Sequence, residues 1–378
     1  MTKFTNFKTW QVEQQAKTTN KPCINERTLL GMLKSVRPHG GQGEQMYINK
    51  LLSSIRRLGY TPIIDDVGNI IVNNLSPNDT TSAVMFTSHT DSVRRQESPD
   101  GTQKLEFIDA ERTFVGVAPV QPQGFTANCL GADCATGNYI MLRLLQANAK
   151  GLYCFFRQEE SGGIGSDHFR DDPNNQKYWD KLTHCISFDR KGYTSIITQQ
   201  WGGECASMAF ANDLADLIEQ ADVEQQLERF VADPTGSFTD SANFTDVIGE
   251  CTNLSVGYFT QHTTKETQDL VFVDNLCNAL ERIDWTELNS YRAPVEKYTF
   301  SRNSYRQTGG FPDYYYDWYD DAYAVGTSVG GSVTSNNHLD DAMIDDYHYF
   351  LQQGGIEYAK ELVINEPDVA AELLVFLA

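Results

Sequence analysis

Four short apolar runs punctuate the chain, at residues 83–88, 152–156, 185–188 and 254–258. Each is bounded by polar or turn-forming residues, the pattern of strands buried on both faces. Stretches with apolar residues every three to four positions lie around them and predict helices. The clearest runs from Gly43 to Leu58, where Tyr47, Leu51, Leu52, Ile55 and Leu58 share one face and Gly59 provides the stop. Others are expected at 137–145, 212–230 and 268–283, with a shorter one around Leu29, Leu30, Met32 and Leu33. Residues 60–72 predict two short strands about a turn at Gly68 and Asn69. Strands alternating with helices imply an α/β fold, a three-layer sandwich with a mostly parallel central sheet.

The pattern changes beyond about residue 290. Of 18 tyrosines, 11 lie after that point, and a Tyr/Asp-rich stretch at 311–321 leads into a Gly/Ser/Asn-rich one at 326–337. That composition reads as linker or loop, and helical periodicity returns only from about Leu339. The expected organisation is therefore a main domain over 1–290 and an acidic, Tyr-rich linker with a small helical appendage over 291–378.

Charge narrows the choice of partners. Thirty Lys and Arg face 51 Asp and Glu, a net charge of −21. Such a surface repels phosphate backbones and anionic lipid, so neither nucleic acid nor membrane is an expected partner. No apolar run approaches the roughly 20 residues that span a bilayer, and the first residues carry no signal-like apolar stretch. The eight cysteines are scattered without a Cys-x-x-Cys pair, which fits a reduced, cytoplasmic protein. A chain so rich in carboxylates can hold cations.

Candidate ligands fall where the predicted strands end. Run 83–88 leads into Ser88-His89-Thr90-Asp91; imidazole is the commonest zinc ligand, and a ligating His often leans on a carboxylate. His338 and Asp340 repeat the spacing, but follow a Ser/Asn loop rather than a strand, and read as a solvated pair. Leu130-Gly131-Ala132-Asp133 opens a helix, where an Asp is ordinarily a cap. Run 152–156 ends in Arg157-Gln158-Glu159-Glu160 and a Gly-rich tail; adjacent carboxylates need a cation, a proton or solvent to relieve their repulsion. Run 185–188 delivers Asp189, whose plainest reading is a turn pair with Arg190, and run 254–258 leads to His262. Singly each has a bland reading. Jointly, the set His, Asp, Glu, Asp, His is what two divalent ions bridged by one carboxylate require.

The order of these motifs resembles the co-catalytic dizinc exopeptidases: aminopeptidases of the bacterial leucyl type, tripeptidases, glutamate carboxypeptidases and related amidohydrolases. The resemblance covers roughly residues 40–285 and includes Asp66-Val67-Gly68-Asn69 before the first ligand. It implies a phosphorylase/hydrolase-like sandwich and two Zn2+, with Co2+ or Mn2+ as alternatives. It further implies that His89 and Asp189 hold one ion and Glu160 and His262 the other, with Asp133 bridging. Asp91 would orient His89, and Glu159 would be the general base. Many members carry a second acid after the bridging Asp; here Cys134 stands there, and it reads as a packed thiol, with a redox-sensitive or metal-bound thiol as the alternative.

Relatives with a dimerising lid insert it between the Asp and the last His. Only 73 positions separate Asp189 from His262, already filled by predicted elements, and Thr239-Asp240-Ser241 is similar to a motif of the lidless aminopeptidase branch. The expected activity is hydrolysis of a peptide or amide bond in a small peptide, with an aminopeptidase as the leading form. An N-acyl amino acid deacylase or a carboxypeptidase is the alternative, and glutaminyl cyclisation uses the same scaffold. A metal-stabilised binding or structural protein is the reading from another class. The loop from Ser92 to Asn128 joins two site elements and is expected to shape the substrate pocket.

Overall fold

The computed structural model describes residues 23–295 except 76–82, 94–95, 122–124 and 201–202. The linker and appendage expected over 291–378 thus lie outside the described residues but for their first five, as do His338 and Asp340. In chain order the elements are α1 (Glu26–Leu33), α2 (Gln42–Arg57), β1 (Ile63–Ile64), β2 (Ile70–Asn73), β3 (Ala83–His89), β4 (Leu105–Phe107) and β5 (Phe114–Val117). There follow α3 (Ala132–Gln146), β6 (Leu152–Phe156), α4 (Ile164–Asp171), α5 (Gln176–Trp179), β7 (Leu182–Arg190), β8 (Ser195–Ile197), β9 (Gln199–Gln200) and β10 (Gly203–Glu204). The last are α6 (Met208–Ala221), β11 (Val231–Asp233), β12 (Glu250–Ser255), β13 (Tyr258–Phe259), β14 (Thr267–Asp269) and α7 (Leu270–Leu280).

Eight strands form the central sheet in the order β1-β2-β6-β3-β7-β12-β8-β11. Its middle is parallel: β6 with β3, β3 with β7, and β7 with β12. The flanks reverse, β2 against β6 and β8 against β12. All five residues of β6 and all six of β12 are buried; β6 reads as an unbroken apolar run for that reason, whereas β12 is buried although most of its residues are polar. The α/β sandwich expected from the sequence is the fold found.

Helices cover both faces. On one, α3 packs on β3 and β7, so closely that a Cβ on Gly137 would lie 2.2 Å from the Phe188 carbonyl and 2.4 Å from Ser88 Oγ. On the other, a 3-10 helix, Asp240–Phe244, donates the Ser241 N–H to Ser187 Oγ at 3.2 Å. Ser187 Oγ pairs with Thr87 Oγ1 at 2.6 Å, and Ser88, the next residue of β3, points its side chain to the opposite face, which puts the two helices on opposite sides. Aromatic packing fills the layers: Phe86 lies 5.1 Å from Tyr153 and 4.9 Å from Trp285, and Phe156 stacks 5.7 Å from Phe244.

Several expected boundaries shift. The strand expected at 254–258 runs over Glu250–Ser255; Gly257, at φ +82°, then turns the chain into a second sheet, β13-β14-β5-β4. The helix expected at 268–283 begins at Leu270 because Asp269 caps it, accepting from the Val271 and Phe272 N–H groups. The helix expected over 212–230 spans Met208–Ala221, capped by Ser207 and followed by a polar segment and β11. The helix expected at 137–145 starts five residues earlier, at Ala132. Among the described residues no helix is long and apolar enough to cross a membrane.

Candidate metal centre

The carboxyl ends of β6, β3, β7 and β12 converge, the place where open α/β sheets bind ligands. His89 is the last residue of β3, and Asp189 the penultimate residue of β7. Beyond β6, Gln158 adopts φ +60°, and Glu159 and Glu160 follow it before Gly162 and Gly163, both at positive φ, lead into α4. Asp133 lies in the first turn of α3, not in a loop before it. His262 sits between β13 and β14, with Thr260 at φ +56° and His262 itself at +62°. Left-handed backbone in residues with side chains is uncommon and tends to cluster at functional sites.

These ends bring all seven sequence-predicted residues together. His89 Nε2 lies 3.6 Å from Asp189 Oδ1 and 4.0 Å from Glu159 Oε2. His262 Nε2 lies 3.3 Å from Asp133 Oδ2 and 3.5 Å from Glu160 Oε1. The two groups join at Asp133 and Glu160. Asp133 offers ligand atoms within 4.8 Å of His89 on one side, and of Glu160 and His262 on the other; Glu160 likewise reaches His89 and Glu159. His89 and Asp133 are buried, at 1% and 2% exposure, while the Glu pair and His262 are half-buried.

Neighbouring groups hold these side chains in place. Asn138 Nδ2 donates to the His89 carbonyl at 2.7 Å. His89 Nδ1 is 3.1 Å from the Asp91 carbonyl and 3.6 Å from the Asp91 carboxylate, whose Oδ1 accepts from the Glu159 N–H at 3.2 Å. Asp91 therefore braces both His89 and Glu159. Asp189 is fixed from three sides: its N–H donates to Asn253 Oδ1, Thr239 Oγ1 donates to its Oδ2, and Tyr258 OH donates to its carbonyl, at 3.0, 2.7 and 2.9 Å. Its expected turn pair with Arg190 does not form; Arg190 Nη2 lies 3.3 Å from Asp233 Oδ2 instead. Glu160 Oε1 accepts from the Val93 N–H at 3.1 Å. Cys134 is buried with Sγ 3.0 Å from Arg37 Nη2.

The electrostatics show an excess of negative charge. Burial and nearby Asp133 push Glu160 up to about 8, although His262 opposes this. Burial, Asp189 and Glu160 hold Glu159 well above the usual carboxylate range. Burial also pushes Asp240 up to about 7, against the opposing pull of His89 and a hydrogen bond from Ser166. Burial disfavours the His89 imidazolium, but Cys134 and the carboxylates of Asp189, Asp91 and Glu159 outweigh it and raise its pKa. Asp133 shifts the other way: burial notwithstanding, His262 and His89 hold its carboxyl low. Crowded carboxylates with two imidazoles and no Lys or Arg among the ligand groups leave a charge deficit that divalent ions fit, and N/O donors suit zinc and its neighbours.

Sequence reasoning missed several supports. Asn138, Asn253 and Tyr258 carry no motif signal. Glu266 follows His262 by four residues and is buried, accepting from three backbone N–H groups just before Asp133. Burial and Asp133 push this carboxyl up to about 7 against those bonds.

No family model matches the sequence, and no curated protein matches it. Solved structures do resemble the fold. An aminopeptidase PepT from Bacillus cereus aligns over 69% of this chain and 99% of its own, with a TM-score of 0.51 and 13% identity. A Pyrococcus horikoshii TET1 peptidase, which can assemble into a tetrahedron or a large octahedral shell, aligns over 67% of this chain and 97% of its own, with a TM-score of 0.50 and 14% identity. At such identity the likeness is one of fold.

Proposed function

We propose that this chain is a metallohydrolase that cleaves a peptide or amide bond in small peptides, as an aminopeptidase, with two divalent ions in the pocket just described. The observation that carries this reading is the position of Asp133, whose carboxylate lies within 4.8 Å of a ring nitrogen of both imidazoles, His89 and His262. A lone structural ion would need neither the second imidazole nor the additional acid Glu159. The solved structures of similar fold include an aminopeptidase and a peptidase by name, which supports the same reaction class.

His89 and Asp189 would hold one ion, Glu160 and His262 the other, and Asp133 would bridge them; zinc is the first choice, with Co2+ or Mn2+ as alternatives. Bound there, the ions supply Lewis-acid polarisation of the scissile carbonyl and a water acidic enough to attack it near neutral pH. Glu159 is the residue placed to move protons. It is oriented by the bond from its own N–H to Asp91, it takes the proton of the attacking water, and it returns that proton to the leaving amine. Asp91 keeps the His89 ring in place and needs no chemistry of its own.

The described segment between Asp189 and His262 forms β8, β11 and β12 of the central sheet, β13 of the second, the two-stranded pair β9-β10, α6 and the 3-10 helix, which leaves no separate domain there and supports the lidless branch. The test joins metal analysis of the purified chain to a panel of aminoacyl-anilides, short peptides and N-acylated amino acids. The expected result is about two divalent ions per chain and cleavage of substrates with a free amine. Turnover only of N-acylated substrates would move the assignment to a deacylase, and ion binding with no hydrolysis would favour a binding protein.

A further inference from the structure

The imidazole of His262 hangs on a weakly anchored segment. Residues 260–265 are exposed or half-buried, two of them have left-handed backbone, and the bonds tying the loop to itself are local ones such as Thr263 Oγ1 to the Thr260 carbonyl. The first buried residue after His262 is Glu266, 1% exposed. Its carboxylate reaches across the site: Oε2 accepts from the Leu130 and Gly131 N–H groups at 2.8 and 3.1 Å, and Oε1 from the Ala132 N–H at 2.7 Å. Asp133 is the next residue.

Of these three, Ala132 is the first residue of α3, Gly131 its cap position and Leu130 the residue before it, and the helix has no side-chain cap of its own. Gly131 occupies the cap position at φ +69° and offers no side chain. Free N–H groups and the positive end of a helix dipole favour a carboxylate, and here it arrives from 134 positions away. Two residues on, Gln268 makes a second tie: Thr136 Oγ1 donates to its Oε1 at 2.5 Å, while its Nε2 donates to the Val256 and Gly257 carbonyls at 3.0 and 2.9 Å. The hairpin that carries His262 is thereby docked on the turn that carries Asp133.

We infer that Glu266 is a positioning residue that sets the His262–Asp133 spacing and so governs chiefly the ion held by Asp133, Glu160 and His262, while the ion at His89 and Asp189, which shares only the bridging Asp133 with it, is affected less. This rests on the two-ion reading above. His89 and Asp189 belong to strands β3 and β7 inside the parallel sheet, which fixes them independently of Glu266; the hairpin reaches them only through Tyr258, at its base.

The experiment titrates chelator-treated wild type, Glu266→Gln and Glu266→Asp with Zn2+ by calorimetry and with Co2+ by visible absorption, and records melting of each ion-free protein. Wild type is expected to take two ions. Glu266→Gln turns an amide NH2 toward backbone N–H groups; it should weaken the second ion about 10–100-fold, the usual loss for such a supporting partner, and the first ion clearly less. Glu266→Asp keeps the charge on a shorter arm and should fall between; it carries the test should the Gln variant not fold. Wild-type affinity for both ions in the variants overturns the inference and leaves the two-ion reading standing. Equal weakening of both ions, in step with a lower melting temperature, also overturns it, since that is the signature of a general structural role. Failure of wild type to take two ions overturns the two-ion reading, and the inference with it.

Discussion

The two halves of the site are built in different ways. His89 and Asp189 sit at the ends of two adjacent parallel strands, and the His89 side chain is 1% exposed. His262 sits on a hairpin loop with positive φ, and its side chain is 19% exposed. The first half inherits its geometry from the sheet; once β3 pairs with β7, there is little left to decide. The second is assembled from three separate segments and depends on tethers such as Glu266. A rigid ligand pair beside a tethered one means that the two ions should differ in affinity, the hairpin ion being the weaker.

The sharpest break in that comparison uses two adjacent residues that serve different halves. Glu159 faces His89 and Glu160 faces His262. Glu159→Gln should retain both ions by metal analysis while turnover of an aminoacyl-anilide falls about 10²–10⁴-fold, the usual share of a general base. Glu160→Gln should instead lose the hairpin ion. Full activity in Glu159→Gln would remove the proposed chemistry.

Next in size is a difference in folding. In chelator, His89→Ala leaves a cavity and strips partners from the Asp91 and Asp189 carboxylates, and should cost about 2–3 kcal/mol in denaturant unfolding. His262→Ala, on its half-exposed loop, leaves no cavity but strips one partner from the buried Asp133 carboxylate, and should cost less, about 1 kcal/mol. Equal losses would deny the contrast between the halves.

A pH dependence follows for the ion-free protein. Glu160 is pushed up to about 8 and Asp240 up to about 7, both above their unfolded values near 4. A carboxyl raised in this way contributes stability that is complete below its unfolded pKa and disappears as pH rises through the folded one. His89, raised by its acidic neighbours, changes stability in the same direction. Melting in chelator should therefore drop from about pH 4.5 toward pH 8, and added Zn2+ should restore most at the upper end, where the ligands are deprotonated. A melting temperature that rises over this window would contradict the charge excess.

The smallest effect tests the join between halves. Tyr258, at the base of the hairpin, donates to the Asp189 carbonyl. Tyr258→Phe should cost about 1 kcal/mol and weaken the hairpin ion more than the other in a calorimetric titration.

Legibility followed the same divide. Strands β3 and β6 were readable almost to the residue because strands buried on both faces leave continuous apolar runs, and the chemistry-bearing residues come directly after them. The start of α3 was misplaced because Asp133 looked like a cap before a helix, whereas it lies inside the first turn and the capping carboxylate is that of Glu266. The strand expected at 254–258 was misplaced because a polar run, Glu250–Ser255, is buried there. Its burial reflects neighbours on both sides rather than its own composition. Asp240 carries a signal in the sequence only as part of a motif; its burial beside the ligand groups is a property of the three-dimensional structure.

By itself the sequence determined which residues can bind ions and move protons, and which runs form the central strands, because ligand chemistry and hydrophobic periodicity are local properties. The tertiary structure alone decided that five candidate ligands separated by up to 173 positions (262 − 89) lie together, that Asp133 comes near both imidazoles, and that a distant glutamate meets the start of the helix carrying it. Those outcomes depend on strand order and crossover connections, which bring the carboxyl ends of parallel strands to a single edge of the sheet.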